Sequence, residues 1–281
     1  MSQLPRVTYS NIAADFTPLH DYLDQLIPQF ESETLGQTWQ TPFATKDSHQ
    51  IASPIDPALS LGTFPRSSAA DVDAAVKTAR AAAKTWNHST LEERLAFADR
   101  WQAVLDEEKY RLGLAGLFEV GKSRLESIGE TEEAVDMVAY YAGQLKKNNG
   151  FDRPMLELVE HETTRSVLRP YGVFAVIAPF NFPVALAVGP MVCALLAGNA
   201  VVYKPSPECS LTGLMLAETL KKAGLPDGVF NIVLGGGDVG QALTEHDGID
   251  GVAFTGSHAT GMGIFRKMGE GRWMKPVLAE M

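Results

Sequence analysis

Three places along this chain put a functional side chain directly after an apolar run. In VFAVIAPFNFP, the run 173–178 breaks into a turn that fixes Asn181 between Pro179 and Pro183. A side-chain amide held there could stabilise an oxyanion with little reorganisation. It could equally cap the helix that follows. The run 200–203 ends at Lys204, in VVYKPSPE, where an ammonium can reach the ribose or phosphates of a nucleotide; most lysines simply lie on the surface. After the run 252–254, FTGSHATG places Gly256 and Gly261 around Ser257 at a helix start. Backbone donors and the helix dipole there could face a pyrophosphate, although a tight strand-to-helix turn calls for glycine in any case.

The chain has two cysteines, Cys193 and Cys209, and six histidines, with no CxxC and no HExxH. Neither a disulfide framework nor a zinc site is expected. Cys193 falls inside an apolar helical stretch and reads as a small buried hydrophobe. Cys209 stands near a helix start, where the dipole could lower its pKa.

These residues need a scaffold that brings strand ends together. Short apolar runs at 173–178, 200–203, 230–234, 252–254 and 276–280 alternate with helical stretches at 184–196, 211–223, 239–245 and 260–268. Alternation of this kind predicts an α/β fold with a doubly wound parallel sheet and ligands at the carboxyl ends of its strands. Upstream, Ser68 with Asp71, Thr90 with Glu93 and Ser123 with Glu126 are capping-box signals, each ahead of apolar residues at helical spacing. They predict three helices. Glu119, Glu130, Glu132 and Glu133 fall on these helices and read as a solvated face without chemistry. The stretch 156–168 alternates partly and suits a half-exposed ribbon, a natural oligomer edge. Within the N-terminal helical arm, residues 1–66 have weak periodicity and several prolines, and read as extended chain with a few short strands or turns. The expected division is therefore 1–66 arm, 67–150 helical part, 151–169 ribbon and 170–281 sheet domain.

A formal charge of −10 over 281 residues gives no electrostatic reason to seek nucleic acid or anionic lipid. The N-terminus lacks a basic start and an apolar run, so no secretory signal is expected and the chain reads as cytoplasmic. No charged residue occurs between Arg169 and Lys204, a length that could span a bilayer, but Pro179, Pro183 and Pro190 interrupt it. Two buried strands flanking a buried helix explain the same run.

Together, PFNFP, KPSPE, FTGS with a following Gly, and KPVLAEM resemble the NAD(P)-dependent aldehyde dehydrogenase superfamily in order and spacing, from about Ser53 to Met281. The stretch FEVGKSRLESIGETEEAVDMVAYYA is similar to the branch containing 1-pyrroline-5-carboxylate and other semialdehyde dehydrogenases. The resemblance implies a Rossmann-like domain binding NAD or NADP. Asn181 would donate to the oxyanion, and Lys204, with Ser206 and Pro207, would hold the adenosine ribose. Gly256, Ser257 and Gly261 would lie against the pyrophosphate and nicotinamide ribose, and Glu280 would be the general base. Two departures stand out. Many members have a Glu three residues after the lysine, where this chain has Pro207 with Glu208 one place further, so NAD and NADP both stay open. The nucleophilic Cys that members carry downstream of the Glu motif has no counterpart in these 281 residues. The expectation is the cofactor-binding part of an enzyme that oxidises an aldehyde or semialdehyde, inactive alone, completed by a C-terminal catalytic half and assembled as a homo-oligomer. The alternative is a non-catalytic nucleotide-binding or scaffold protein derived from such an enzyme.

Overall fold

The computed structural model describes residues 4–11, 13–43 and 47–281. The region expected as an extended arm holds an 18-residue helix, α1 (Thr17–Thr34), which buries Leu19, Leu23 and Phe30. Their spacing of four and seven residues keeps them on one face, and each such side chain contributes roughly 1.5–3 kcal/mol when removed from water. Pro18 sits in the first turn, where its missing N–H costs no helical bond. Strands β1 (Ser48–Ala52) and β2 (Ser60–Pro65) then pair antiparallel.

All three capping boxes form as expected. Ser68 opens α2 (Ala69–Trp86), Thr90 opens α3 (Leu91–Val120) and Ser123 opens α4 (Arg124–Lys147); in each, side chain and backbone exchange hydrogen bonds with the acidic residue three places on. Helix α3 stops at Gly121, whose φ of 76° is left-handed, a conformation glycine adopts without a Cβ clash. The ribbon is shorter than its sequence suggests. Only β3 (Asp152–Pro154) and β4 (Arg165–Val167) pair, closed by a 3.0 Å bond from Arg165 Nε to Asp152. Residues 156–164 form an exposed connection that includes His161 at φ 72°. Glu157, Glu160 and Glu162 crowd this segment, which has no partner strand among the described residues to neutralise them.

The uncharged run resolves into β5 (Val173–Ile177), α5 (Ala185–Leu196) and β6 (Ala200–Lys204), with both strands buried at every position. Helix α6 (Ser210–Lys222), β7 (Phe230–Ile232), α7 (Gly237–Thr244), β8 (Gly251–Thr255), α8 (His258–Gly269) and β9 (Val277–Glu280) follow. The five strands form one parallel sheet in the order β7-β6-β5-β8-β9. Helices α5 and α6 pack under α3 and α4, while α2 and α7 pack together at the sheet's other face. Layers on both faces explain why β5 and β6 read as unbroken apolar runs. No helix among the described residues is long and apolar enough to cross a membrane.

Candidate functional site

Register alone brings the predicted residues together. Ile177 pairs with Lys204 and with Phe254, and Thr255 pairs with Glu280. The turn bearing Asn181, the side chain of Lys204, the Gly256–Ser257 turn and Glu280 therefore share the carboxyl edge of the sheet. Chain order reverses between β5 and β8, the crevice where open α/β sheets bind ligands.

Lys204 is not the surface lysine of the commoner reading: it is 6% exposed. Its Nζ donates to Pro205 O at 2.8 Å and to Gly235 O at 3.0 Å, which leaves one N–H without a partner among the described residues. Burial pulls the ammonium down to about 8, opposed by the carboxylates of Glu208 and Asp238. The next residues form a rim. Ser206 Oγ donates to the exposed carboxylate of Glu208, and Pro207 begins a single 3₁₀ turn, Pro207–Cys209, that runs into α6. Pro207 stands three residues after Lys204, and the carboxylate of Glu208 one place further acts on the buried ammonium.

Asn181 is exposed, and its side chain makes no hydrogen bond to the described residues. The capping alternative fails because another residue has taken the post: Glu130 Oε1 accepts from Val184 N at 2.6 Å and Ala185 N at 3.1 Å at the start of α5. The other oxygen of Glu130 meets Lys122 Nζ at 2.5 Å, and that ammonium lies 3.6 Å from the ring centre of Phe182. Glu119 does the same for α6, accepting from Leu211 N at 2.6 Å and Thr212 N at 2.9 Å. The solvated-face reading is thus wrong for three of the four glutamates. Glu119, Glu130 and Glu132 are buried, the last paired with Arg6 and Lys109, and only Glu133 is partly exposed. Their donors lie on distant segments, which periodicity along a single helix cannot reveal. Burial pushes Glu119 up to about 7 against the pull of its Thr212 and Leu211 bonds, and pushes Glu130 up against its pairing with Lys122.

Ser257 caps α8, its Oγ accepting from Thr260 N at 3.3 Å. Gly256 and Gly261 answer first to packing. A Cβ at Gly256 would lie 2.6 Å from the Phe254 ring, and one at Gly261 would collide with Met281 and crowd Phe254. Glu280 is exposed at the end of β9; its carboxylate accepts from Thr255 Oγ1 at 3.3 Å and its carbonyl from Gly256 N at 3.1 Å.

The burial expected of Cys193 is corrected, and the helix dipole does not activate Cys209. Cys209 is fully buried, its Sγ 3.6 Å from Phe180 O, and burial beside Glu119 and Glu208 drives its thiol up, overriding any helix dipole. Cys193 is the exposed one, on the open side of α5, among apolar neighbours that push its thiol up to about 11.

Residues 43–281 match the Aldehyde dehydrogenase family. N-succinylglutamate 5-semialdehyde dehydrogenase 1 of Caulobacter vibrioides is 39% identical over 211 residues, 75% of this chain and 44% of the relative. Among solved structures, a 1-pyrroline-5-carboxylate dehydrogenase from Thermus with bound NAD superposes with a TM-score of 0.87 at 27% identity, covering 99% of this chain and 55% of that one. An NADP-dependent glyceraldehyde-3-phosphate dehydrogenase from Bacillus halodurans, complexed with NADP, gives 0.77 at 32% identity, covering 84% and 49%. The chain spans about half the length of the curated relatives it matches. With a parallel sheet whose edge collects an amide, a buried ammonium and a glycine turn, and with a family match over 43–281, this chain belongs to the aldehyde dehydrogenase family.

Proposed function

We propose that these residues form the dinucleotide-binding part of an enzyme that oxidises an aldehyde or semialdehyde to its acid. The observation that carries the reading is Lys204, an ammonium with one unspent N–H at the edge where Asn181, Gly256, Ser257 and Glu280 also converge. The unspent donor suits a ribose hydroxyl, with Ser206 and Pro207 shaping the rim beside it. The turn formed by Gly256 and Ser257, closed behind by Gly261, suits a pyrophosphate next to the start of α8. The nicotinamide, when bound, supplies the hydride acceptor. Asn181, free of the helix-capping duty, is left to donate to an oxyanion, and the exposed carboxylate of Glu280 to take a proton from water. Glu208 stands where a ribose 2′-phosphate would be repelled, which favours NAD over NADP.

Covalent aldehyde oxidation needs a thiolate, and neither cysteine here is suited to provide one. Residues 281 and below would therefore bind cofactor without turning over aldehyde, with a catalytic half supplying the nucleophile. The same observation gives the scaffold alternative its support. Titration calorimetry with NAD and NADP on the folded chain tests the reading. Saturable binding, weakened at least about tenfold by Lys204→Ala, is expected for loss of a charge-assisted hydrogen bond. Failure of both dinucleotides to bind at roughly millimolar concentration, where even a weak site fills, would remove it.

A further inference from the structure

The first turn of α6 has no cap from its own neighbours: Cys209, at the capping position, contributes no side-chain bond. The orphan N–H groups of Leu211 and Thr212 are answered instead by Glu119, at the far end of α3 and more than ninety residues away in the chain. Helix α6 in turn presses on the loop that leaves β6. A Cβ at Gly213 would fall 2.8 Å from Pro205 Cγ, so the helix and Pro205 are in direct contact. Pro205 supplies a carbonyl to Lys204 Nζ, and the same loop bears Ser206 and Glu208. A continuous mechanical chain thus runs from Glu119 through α6 and Pro205 to the ammonium.

We propose that Glu119 is a positioning residue for the dinucleotide edge, holding α6 and the 205–209 loop so that Lys204 and the Ser206–Glu208 rim meet the ribose in one geometry. The proposal rests on the dinucleotide reading above. Its charge state sets the grip: three donors, Leu211 N, Thr212 N and the Thr212 hydroxyl, all point at this carboxyl, and an ionised group accepts from all three whereas a protonated one must spend an oxygen on its own hydrogen. Burial places that ionisation near neutrality. The other titratable groups in the surrounding field are Tyr203 of β6, Cys209 and Glu208 of the 3₁₀ turn, and Glu130 and Lys122 beside the α3–α4 corner. All are shared by the unaltered chain and by E119Q, so a comparison of the two isolates Glu119.

NAD and NADP affinities of the unaltered chain and of E119Q, measured by calorimetry from pH about 6 to about 8, test the idea. Glutamine mimics the protonated carboxyl, so the two should bind alike near pH 6, and E119Q should bind about tenfold more weakly near pH 8. Leu145→Ala, at the end of the 24-residue α4 opposite the α3–α4 corner, should lower the melting temperature and leave affinity unchanged. If E119Q does not fold, Thr212→Val removes one of the three donors and should weaken binding a few-fold near pH 8 only. An affinity ratio that stays flat across this range in a chain that binds dinucleotide overturns the proposal alone. A chain that binds neither dinucleotide overturns the cofactor reading with it.

Discussion

Lys204 and Glu119 are both buried ionisable groups, and each should leave a signature in pH. Lowered to about 8, Lys204 loses its proton as pH rises through that value, so dinucleotide affinity should decline between about pH 7 and pH 9. Lys204→Met should abolish that decline, as calorimetry across the range will read. For Glu119 the linkage concerns stability. Its folded pKa lies above the ordinary carboxyl value, so the native state binds more protons than the unfolded chain. The stability it contributes is therefore complete below about pH 4.5 and lost as pH rises through about 7, a change on the order of 3 kcal/mol. Denaturant unfolding of E119Q should show a smaller loss of stability over that window. Among the thiols, Cys193 should be the one alkylated in the native chain, slowly at neutral pH because little thiolate is present; Cys209 should react only on unfolding. The position of Asn181, Lys204 and Gly256 at the sheet's carboxyl edge was legible in the sequence because each stands at or just beyond the end of an apolar run. Glu119 and Glu130 were not, because what makes them special is a set of backbone donors 54 to 93 residues away.

At the scale of elements, the helices with side-chain caps were the easiest to read. Ser68, Thr90 and Ser123 carry their reciprocal partners three residues on, a local signal that needs no tertiary knowledge. Thr90→Ala should therefore cost about 1 kcal/mol in denaturant unfolding, without altering cofactor binding. Helix α1 escaped notice because Pro18 and Pro28 obscure a face that Leu19, Leu23 and Phe30 define only against the body of the protein. The ribbon was read too long because alternation of Leu and Glu around 156–160 imitates a strand. Six residues do pair, and Leu156, Leu158, Val159 and Leu168 stay exposed beside them. Apolar side chains clustered on so short a hairpin favour association between copies. Sedimentation should show a species heavier than a monomer at micromolar concentration, shifted toward monomer by replacing Leu156 and Leu158 with Ser.

Across the whole molecule, the strand order β7-β6-β5-β8-β9 also sets a timetable for assembly. The half made of β5, β6 and β7 closes through successive right-next neighbours, so it can pair once residue 232 has left the ribosome. The other edge of β5 must wait: Phe174 finds its partner Gly251 only after α7 has crossed to the opposite face. Pairing across such separations carries a loop-closure entropy that slows it relative to local contacts. Pulse-labelled hydrogen exchange during refolding should protect the amides of β6 and β7 before those of β8. The crevice between β5 and β8 would then depend on the sheet's most distant pairing in sequence, so the binding edge is created late in folding, and a chain stalled before β8 would hold Lys204 and Asn181 with no crevice between them and the glycine turn.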